Sequence, residues 1–234
     1  MLTSFFWSGD AIRSRCVSDI ALSGTVEVPA LPARVLADWQ RELSSQVLLE
    51  IGDVEVMPLA RTWARWPDYR RCIQVVSDWA RELGLAESLA SADVALMACR
   101  GARYHHDAEQ YADMAFCNLF LSEDRSLDLH FPLTGHRIPL AKGTAVVFDT
   151  CQPHGVIQRG SSGFDASGFA PDQDWAQIFL SWELPIEDAS VARALEITFD
   201  IAASTCGQVD AQHLRLNGAR GIVCPDSGRW LPSD

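Results

Sequence analysis

The spacing of hydrophobic residues changes from a helical to a strand pattern about two-fifths of the way along the chain. Before residue 93, apolar side chains recur every three or four positions, which is typical of amphipathic helices. One such stripe begins around Pro32, a residue that suits the first turn of a helix. A second follows Pro67 and Asp68 and runs to Leu83, where a glycine provides a typical C-terminal stop. We predict two helices that pack against the rest of the fold.

From residue 93 onward, β-branched, aromatic and alternating apolar residues indicate strands. The segments with this character are 93–99, 114–122, 127–131, 137–140, 143–149 and 175–184. Earlier in the chain, residues 24–30 are predicted to be extended, and 47–57 to form two short strands around a Gly-Asp pair.

The last fifty residues carry two further strand signals. Alternating apolar side chains over 195–201 predict a strand. His213 to Leu216, followed by Asn217-Gly218, is typical of a hairpin that continues into residues 221–223. The predicted fold class is therefore mostly β with flanking helices (α+β). We expect one domain over 1–234, with supporting elements in 1–92, a core in 93–184 and C-terminal strands in 185–234.

Composition limits the possible partners and the compartment. The 234 residues carry a net charge of −12, which would repel a phosphate backbone, so we expect no nucleic-acid partner. No run is long enough to cross a membrane, and the N-terminus lacks a basic leader. The seven cysteines form no Cys-x-x-Cys pair, so neither a disulfide framework nor a zinc knuckle is indicated. These features favour a cytoplasmic protein whose oligomeric state is open.

Two imidazoles and one carboxylate occupy positions that suit an open metal site. His105 and Asp107 are two residues apart, so on a strand they project from the same face while His106 turns away. His154 comes after the apolar segment 143–149 and a short turn. Two histidines and one carboxylate bind iron(II) on one side and leave positions free for a co-substrate and oxygen.

A structural explanation competes with this one. A His-x-Asp triplet arises easily by chance, and all three residues could be hydrogen-bonded polar groups of a β-rich core. His130 and His136 lie in the same region, but neither has an acid two residues away on a strand. We interpret both as polar sheet or turn residues.

The chain resembles the iron(II)- and 2-oxoglutarate-dependent oxygenases of the double-stranded β-helix type. The resemblance covers roughly residues 93–184, and it rests on His105-x-Asp107, the run from Pro139 to Phe148, His154, and the strand 175–184. It implies a double-stranded β-helix or jelly-roll core buttressed by the N-terminal helices. It also implies that His105, Asp107 and His154 bind iron, with 2-oxoglutarate and O2 as co-substrates and no catalytic residue beyond these ligands.

One element of the family pattern is missing. Family members usually carry an Arg or Lys on the last core strand to hold the distal carboxylate of 2-oxoglutarate, and this strand has none. The nearest candidate is Arg159, because a guanidinium can grip a carboxylate through two hydrogen bonds. Arg103 and Arg137 are alternatives, and Asn118 and Ser181 could assist by hydrogen bonding.

By this resemblance the chain is expected to be a dioxygenase that oxidises a small molecule, amino acid or peptide. Hydroxylation is the default outcome, and desaturation, cyclisation or another rearrangement stays open. A cupin-like metal-binding protein or isomerase without 2-oxoglutarate chemistry is the main alternative, and a non-catalytic β-scaffold is a third. The Gly- and Ser-rich segment 160–174 is either a surface connection or a lid in which Phe164 and Phe169 would close.

Overall fold

The computed structural model describes residues 1–45, 49–57, 66, 68–170, 172–207 and 209–233. Its strands are β1 (Leu2–Ser8), β2 (Ala11–Cys16), β3 (Ala21–Thr25), β4 (Val54–Met57), β5 (Val94–Cys99), β6 (Ala102–His105), β7 (Met114–Phe120), β8 (Leu127–Phe131), β9 (His136–Leu140), β10 (Thr144–Asp149), β11 (His154–Gln158), β12 (Gln177–Pro185), β13 (His213–Leu216), β14 (Ala219–Val223) and β15 (Trp230–Pro232). Its helices are α1 (Ala33–Ser45), α2 (Tyr69–Glu82), α3 (Ala86–Ser91), α4 (Ala189–Ala194), α5 (Ala203–Cys206) and a 3-10 turn at Ala166–Gly168. None of the helices described is long and apolar enough to cross a membrane.

The strands β5 to β12 form a jelly roll of two facing antiparallel sheets. The larger sheet has the order β3-β10-β7-β12-β5-β4, and the smaller one has the order β6-β11-β8-β9. Between β5 and β12 the chain passes from one sheet to the other at each connection except the one from β8 to β9, which are neighbours in the smaller sheet. This is the double-stranded β-helix arrangement, and the mostly β fold class with flanking helices is confirmed.

Strand alternation divides the apolar residues of the large sheet between two cores. On β12, Leu180, Trp182 and Leu184 point outwards and pack with the apolar faces of the helices. Phe179 points inwards, into a second cluster between the two sheets. The outer core contains Val35 and Trp39 of α1, so the predicted buttressing by N-terminal helices is also confirmed.

A five-stranded sheet joins the two ends of the chain in the order β15-β14-β13-β1-β2. β1 pairs with β13, so that Leu2 lies opposite Leu216. The predicted hairpin is present, and Asn217 and Gly218 have the positive φ angles of 52° and 87° that a tight turn of this kind requires. The adjacent strand β2 carries Arg15 towards the jelly roll.

Three of the sequence predictions need correction. Residues 195–201 form no strand beyond a single bridge at Phe199, because the capped helix α4 precedes them and positive φ angles at Glu196 and Asp200 interrupt an extended course. Residues 54–57 form one strand, 49–53 form none, and 47–48 lie outside the described residues. The extended segment predicted at 24–30 is strand only to Thr25, within β3.

Candidate metal centre

The pairing of β6 with β11 brings the two candidate histidines together. His105 is the last residue of β6, His154 is the first of β11, and the two lie directly opposite each other in the small sheet. Their ring centroids are 4.4 Å apart. Opposite residues of an antiparallel pair have the closest side chains of any cross-strand pair, so this register sets the imidazoles side by side.

Asp107 completes the cluster from just beyond the end of β6. One carboxylate oxygen lies 3.6 Å from Nε2 of His105, and the other lies 3.7 Å from Nε2 of His154. One potential ligand atom from each of the three residues lies within 4.8 Å of the others. The structure therefore brings together all three residues that the sequence pattern singled out.

Backbone carbonyls orient both imidazoles. Nδ1 of His105 is 2.7 Å from the carbonyl oxygen of Arg103, and Nδ1 of His154 is 2.8 Å from that of Gln152. A carbonyl only accepts hydrogen bonds, so each Nδ1 carries the proton and each Nε2 keeps its lone pair. This is the tautomer that metal-binding histidines need, and such a bond fixes the ring orientation.

The electrostatics of His154 and Asp107 suit a cation. Burial lowers the pKa of His154 well below its ordinary value, so this imidazole is neutral and available as a ligand. Burial also raises the pKa of Asp107, whose Oδ2 is buried and has no hydrogen-bond partner among the described residues. A buried carboxylate oxygen without a partner is costly, and a bound metal ion would remove that cost.

A buried ion pair supports the turn between β10 and His154. Asp149 ends β10, and its carboxylate receives Nη2 of Arg15 at 2.8 Å and the backbone N–H groups of Ser18 and Cys151. The side chains of Arg15 and Asp149 are both 0% exposed. The next residue, Thr150, accepts a backbone hydrogen bond of 2.9 Å from Asp107. This network links the turn that carries His154 to the other half of the cluster.

Sequence reasoning missed Arg15 and Asp149. Arg15 lies on β2, far from the cluster along the chain, and nothing in its local pattern separates it from an ordinary surface arginine. The one available signal was Asp149, a charged residue that ends an otherwise apolar strand.

A cavity of about 400 Å³ opens beside the cluster, between the two sheets. Most of its wall is apolar. The polar and charged side chains that line it are those of Asp93, His105, Asp107, Gln110, Tyr111, Asn118, His154, Ser181 and Glu183. Asn118 and Ser181 lie opposite each other on β7 and β12. No arginine or lysine of the described chain lines this cavity.

The three candidate arginines are engaged elsewhere. Arg159 makes ion pairs with Asp124 at 3.0 Å and with Asp128 at 2.9 Å. Arg137 also pairs with Asp128, and it donates to the carbonyl of Ser161. Arg103 lies 3.6 Å from Asp226 and over the ring of Phe164. Of the residues predicted from sequence to hold a co-substrate, the structure brings Asn118 and Ser181 to the cavity and places Arg159 outside its lining.

The described residues of the segment 160–174, which are 160–170 and 172–174, pack against the jelly roll and do not line this cavity. Phe164 and Phe169 are buried, and their rings stack 5.5 Å apart within the inner core. His130 is also buried and is hydrogen-bonded to the hydroxyl of Tyr104, whereas His136 is exposed on β9.

The sequence matches no family model and no curated protein. Among solved structures, the chain is similar to EvdO2 from Micromonospora carbonacea var. aurantiaca, with 14% identity and a TM-score of 0.42 over 70% of this chain and 86% of that one. It is similar to the viral collagen prolyl hydroxylase vCPH from Paramecium Bursaria Chlorella virus-1, with 11% identity and a TM-score of 0.39 over 70% and 89% of the two chains. It is also similar to the non-heme alpha ketoglutarate dependent epimerase SnoN from nogalamycin biosynthesis, with 14% identity and a TM-score of 0.37 over 70% and 78%. These are partial likenesses in the course of the chain, and the ligand cluster is a property of this chain's own side chains.

Proposed function

We propose that the protein is an iron(II)- and 2-oxoglutarate-dependent dioxygenase that oxidises, by hydroxylation in the default case, a small molecule, amino acid or peptide. The observation that carries the proposal is the convergence of two imidazole nitrogens and one carboxylate beside an interior cavity. Two histidines and one carboxylate with open positions are the ligand set of non-heme iron(II) oxygenases.

The residues fit an iron(II) ion. His105 and His154 present Nε2 in the metal-binding tautomer, and Asp107 presents an oxygen that has no partner among the described residues. Both imidazoles are held by backbone, so the ligand geometry exists before a metal arrives. Iron(II) bound here would supply coordination positions for a 2-oxo acid and O2, whose joint reaction provides the oxidising power.

The cavity fits 2-oxoglutarate in size, but it offers only neutral groups for the distal carboxylate. A chelating 2-oxo acid would extend from the metal ligands into the space between the sheets, where Asn118 and Ser181 face each other. We propose that the amide N–H of Asn118 and the hydroxyl of Ser181 donate to that carboxylate. In these hydrogen bonds only the acceptor is charged, whereas an arginine would add a second charge and grip the carboxylate through two parallel bonds, so we expect weaker binding than an arginine would provide.

The apolar wall supports oxidation chemistry. Phe116, Phe120, Phe148 and Phe179 line the cavity around the polar groups. Such a wall keeps bulk water from the reacting groups and binds the carbon skeleton of a substrate. The protein's own contributions are thus to hold the metal, to orient the co-substrate and to exclude water.

Anaerobic titration with Fe(II), followed by 2-oxoglutarate, tests the proposal. We expect one Fe(II) per chain, a weak visible metal-to-ligand charge-transfer band once 2-oxoglutarate is added, and neither in D107N. Iron binding without the band would contradict the co-substrate assignment and favour the cupin-like alternative. No metal binding would contradict the proposal as a whole.

A pair of substitutions tests how the co-substrate is held. N118A is expected to weaken 2-oxoglutarate binding about tenfold, because a buried carboxylate would lose one donor. R159Q is the control and also tests the sequence prediction for that arginine. Its guanidinium is bound by Asp124 and Asp128, so we expect R159Q to leave 2-oxoglutarate affinity unchanged. An equal loss in both variants would contradict the placement at Asn118.

A further inference from the structure

The charges that line the cavity are all negative. Besides the metal ligand Asp107, the lining contains the carboxylates of Asp93 and Glu183, and no arginine or lysine among the described residues. Both carboxylates are exposed at the rim: Glu183 lies on β12, and Asp93 immediately precedes the neighbouring strand β5. The rim is therefore acidic, while the wall behind it is mainly apolar.

The strand register sets these two carboxylates against each other. Val94 pairs with Trp182 and Ala95 pairs with Ser181, so the same register continued by one position puts Asp93 opposite Glu183. Like charges directly opposite each other on adjacent strands are destabilising. Among the described residues, neither carboxylate has an ion pair or a side-chain hydrogen bond. Burial raises the pKa of Glu183, and the carboxylates of Asp93 and Asp113 raise it further.

A second feature, a side chain deeper in the same cavity, also favours a ligand that carries a hydrogen-bond donor. Asn118 is 7% exposed and lines the cavity, and its Oδ1 has no hydrogen-bond partner among the described residues. An amide oxygen only accepts hydrogen bonds, so an N–H or O–H group of a bound molecule would satisfy it. The amide N–H of the same side chain remains available to the co-substrate.

The rim and the metal cluster belong to one continuous space. Asp107, Tyr111 and Glu183 all line the same cavity, and the backbone N–H of Tyr111 donates to the carbonyl oxygen of Asp107 at 2.7 Å. Tyr111 therefore lies in the same lining as the acidic rim and is bonded directly to a metal ligand. A molecule anchored at the rim therefore extends towards the place where oxidation would occur.

We propose that the substrate carries a protonated amine that binds between Asp93 and Glu183, an apolar body against the cavity wall, and a second N–H or O–H donor that reaches Asn118. This inference rests on the proposed function, because it assigns the oxidised substrate of that same cavity. A cation at the rim would remove the repulsion between the two carboxylates, and charge complementarity would reject anionic compounds.

The test compares hexylamine, hexan-1-ol and hexanoate as probes, titrated into the metal-free protein by calorimetry. Hexylamine is expected to bind about tenfold more tightly than hexan-1-ol, since a partly solvated charge pair about 4 Å apart contributes on the order of one factor of ten. Hexanoate should bind more weakly than hexan-1-ol. In E183Q, the affinity for hexylamine should be within about twofold of the affinity for hexan-1-ol. E55Q is the matched control, because Glu55 lies on the adjacent strand β4 on the face opposite to the cavity-lining Val54 and Val56.

Three results would overturn the proposal: no binding of hexylamine, equal binding of the amine and the alcohol, or an equal loss of preference in E55Q and E183Q. The same titrations in D107N separate the rim from the metal ligands. We expect the preference for the amine to persist there, and its loss in D107N alone would place the amine at the metal cluster instead. Because these measurements use no iron, a failure to bind Fe(II) would leave them unchanged, so the two proposals fail separately.

Discussion

Removal of the Arg15 side chain should destabilise the fold and loosen the iron site together. Arg15 is fully buried, and it donates to Asp149 and to the carbonyl of Ala112, which lies between Asp107 and β7. The substitution R15M keeps a side chain of similar length and removes every one of these donors. It leaves the buried carboxylate of Asp149 without its counter-charge.

The expected cost is about 3 kcal/mol. Breaking a buried ion pair by removal of one partner costs roughly 3–5 kcal/mol. The lower end applies here, because Asp149 keeps the backbone N–H groups of Ser18 at 2.9 Å and Cys151 at 3.0 Å. For a chain of this size each kcal/mol lowers Tm by roughly 2–4 °C, which gives a decrease of about 6–12 °C. The turn before His154 loses support, so Fe(II) affinity should also decrease by about tenfold.

Urea unfolding of matched variants measures this cost. Arg13 lies two residues away on the same strand and forms ion pairs with Glu187 and Asp200, but its side chain is 33% exposed. Exposed pairs contribute about 0.2–1 kcal/mol each, so the loss of both in R13M should lower the free energy of unfolding by no more than about 2 kcal/mol. The double variant R15M/D149N should be more stable than R15M, because the unpaired buried charge is gone.

Two results would refute this reasoning. One is a cost for R15M no greater than that for R13M. The other is a double variant that is no more stable than R15M alone, since the loss would then come from packing and not from the buried charge.

Other consequences can be checked on the same protein. Gly143 has a φ of 86°, and an added Cβ would lie 2.2 Å from the carbonyl oxygen of Val26, so G143A should cost about 3 kcal/mol in urea unfolding. Gly160 has a φ of 83° and open space around it, so G160A should cost only about 1 kcal/mol, and equal costs would contradict the steric argument. Burial lowers the pKa of His130, so its contribution to stability is complete above the unfolded pKa of about 6.5 and is lost as pH falls below it. H130Q should therefore reduce the change in the free energy of unfolding between pH 7 and pH 5, and an unchanged slope would contradict this assignment. Hydrogen bonds from a neighbouring serine lower the pKa of Cys224, so a thiol reagent should label it before the four buried cysteines, and earlier labelling of a buried one would show that the fold opens there.

The elements that could be predicted from sequence are those with a strong local signal. The second stripe predicts a helix that ends at Leu83, and α2 ends at Glu82 with Leu83 as its cap. The apolar segment 143–149 corresponds to β10, and the Asn217-Gly218 pair forms the hairpin turn. In each case the periodicity or the turn chemistry lies within about ten residues, which is the range over which sequence patterns report structure.

Pairings between distant segments could not be predicted in this way. Leu2 lies opposite Leu216, and Arg15 binds Asp149, yet no local pattern connects the members of either pair. The strand expected at 195–201 was wrong for a related reason. Alternation of apolar residues also suits an irregular segment whose side chains pack onto the core, and both Leu195 and Ile197 are buried there without a strand partner.

The site shows the same division between local and distant information. Spacing alone suggested that His105 and Asp107 share a face, as residues two apart on a strand do, and the two side chains converge although Asp107 lies just beyond the end of β6. The partners of Arg159 depend on where Asp124 and Asp128 lie in three dimensions, and a sequence pattern carries no such information. The acidic rim was likewise hidden, because it arises from the register between β5 and β12.

Anaerobic Fe(II) binding by variants of the two neighbouring histidines, His105 and His106, tests the metal site most directly. His105 belongs to the ligand cluster, whereas His106 is the neighbouring residue of the same type and lies outside it. With folding checked by circular dichroism, the wild-type protein and H106A should each bind one Fe(II) per chain, and H105A should lose at least tenfold in affinity. A wild-type protein that binds no iron, or an equal loss in H105A and H106A, would contradict the central claim.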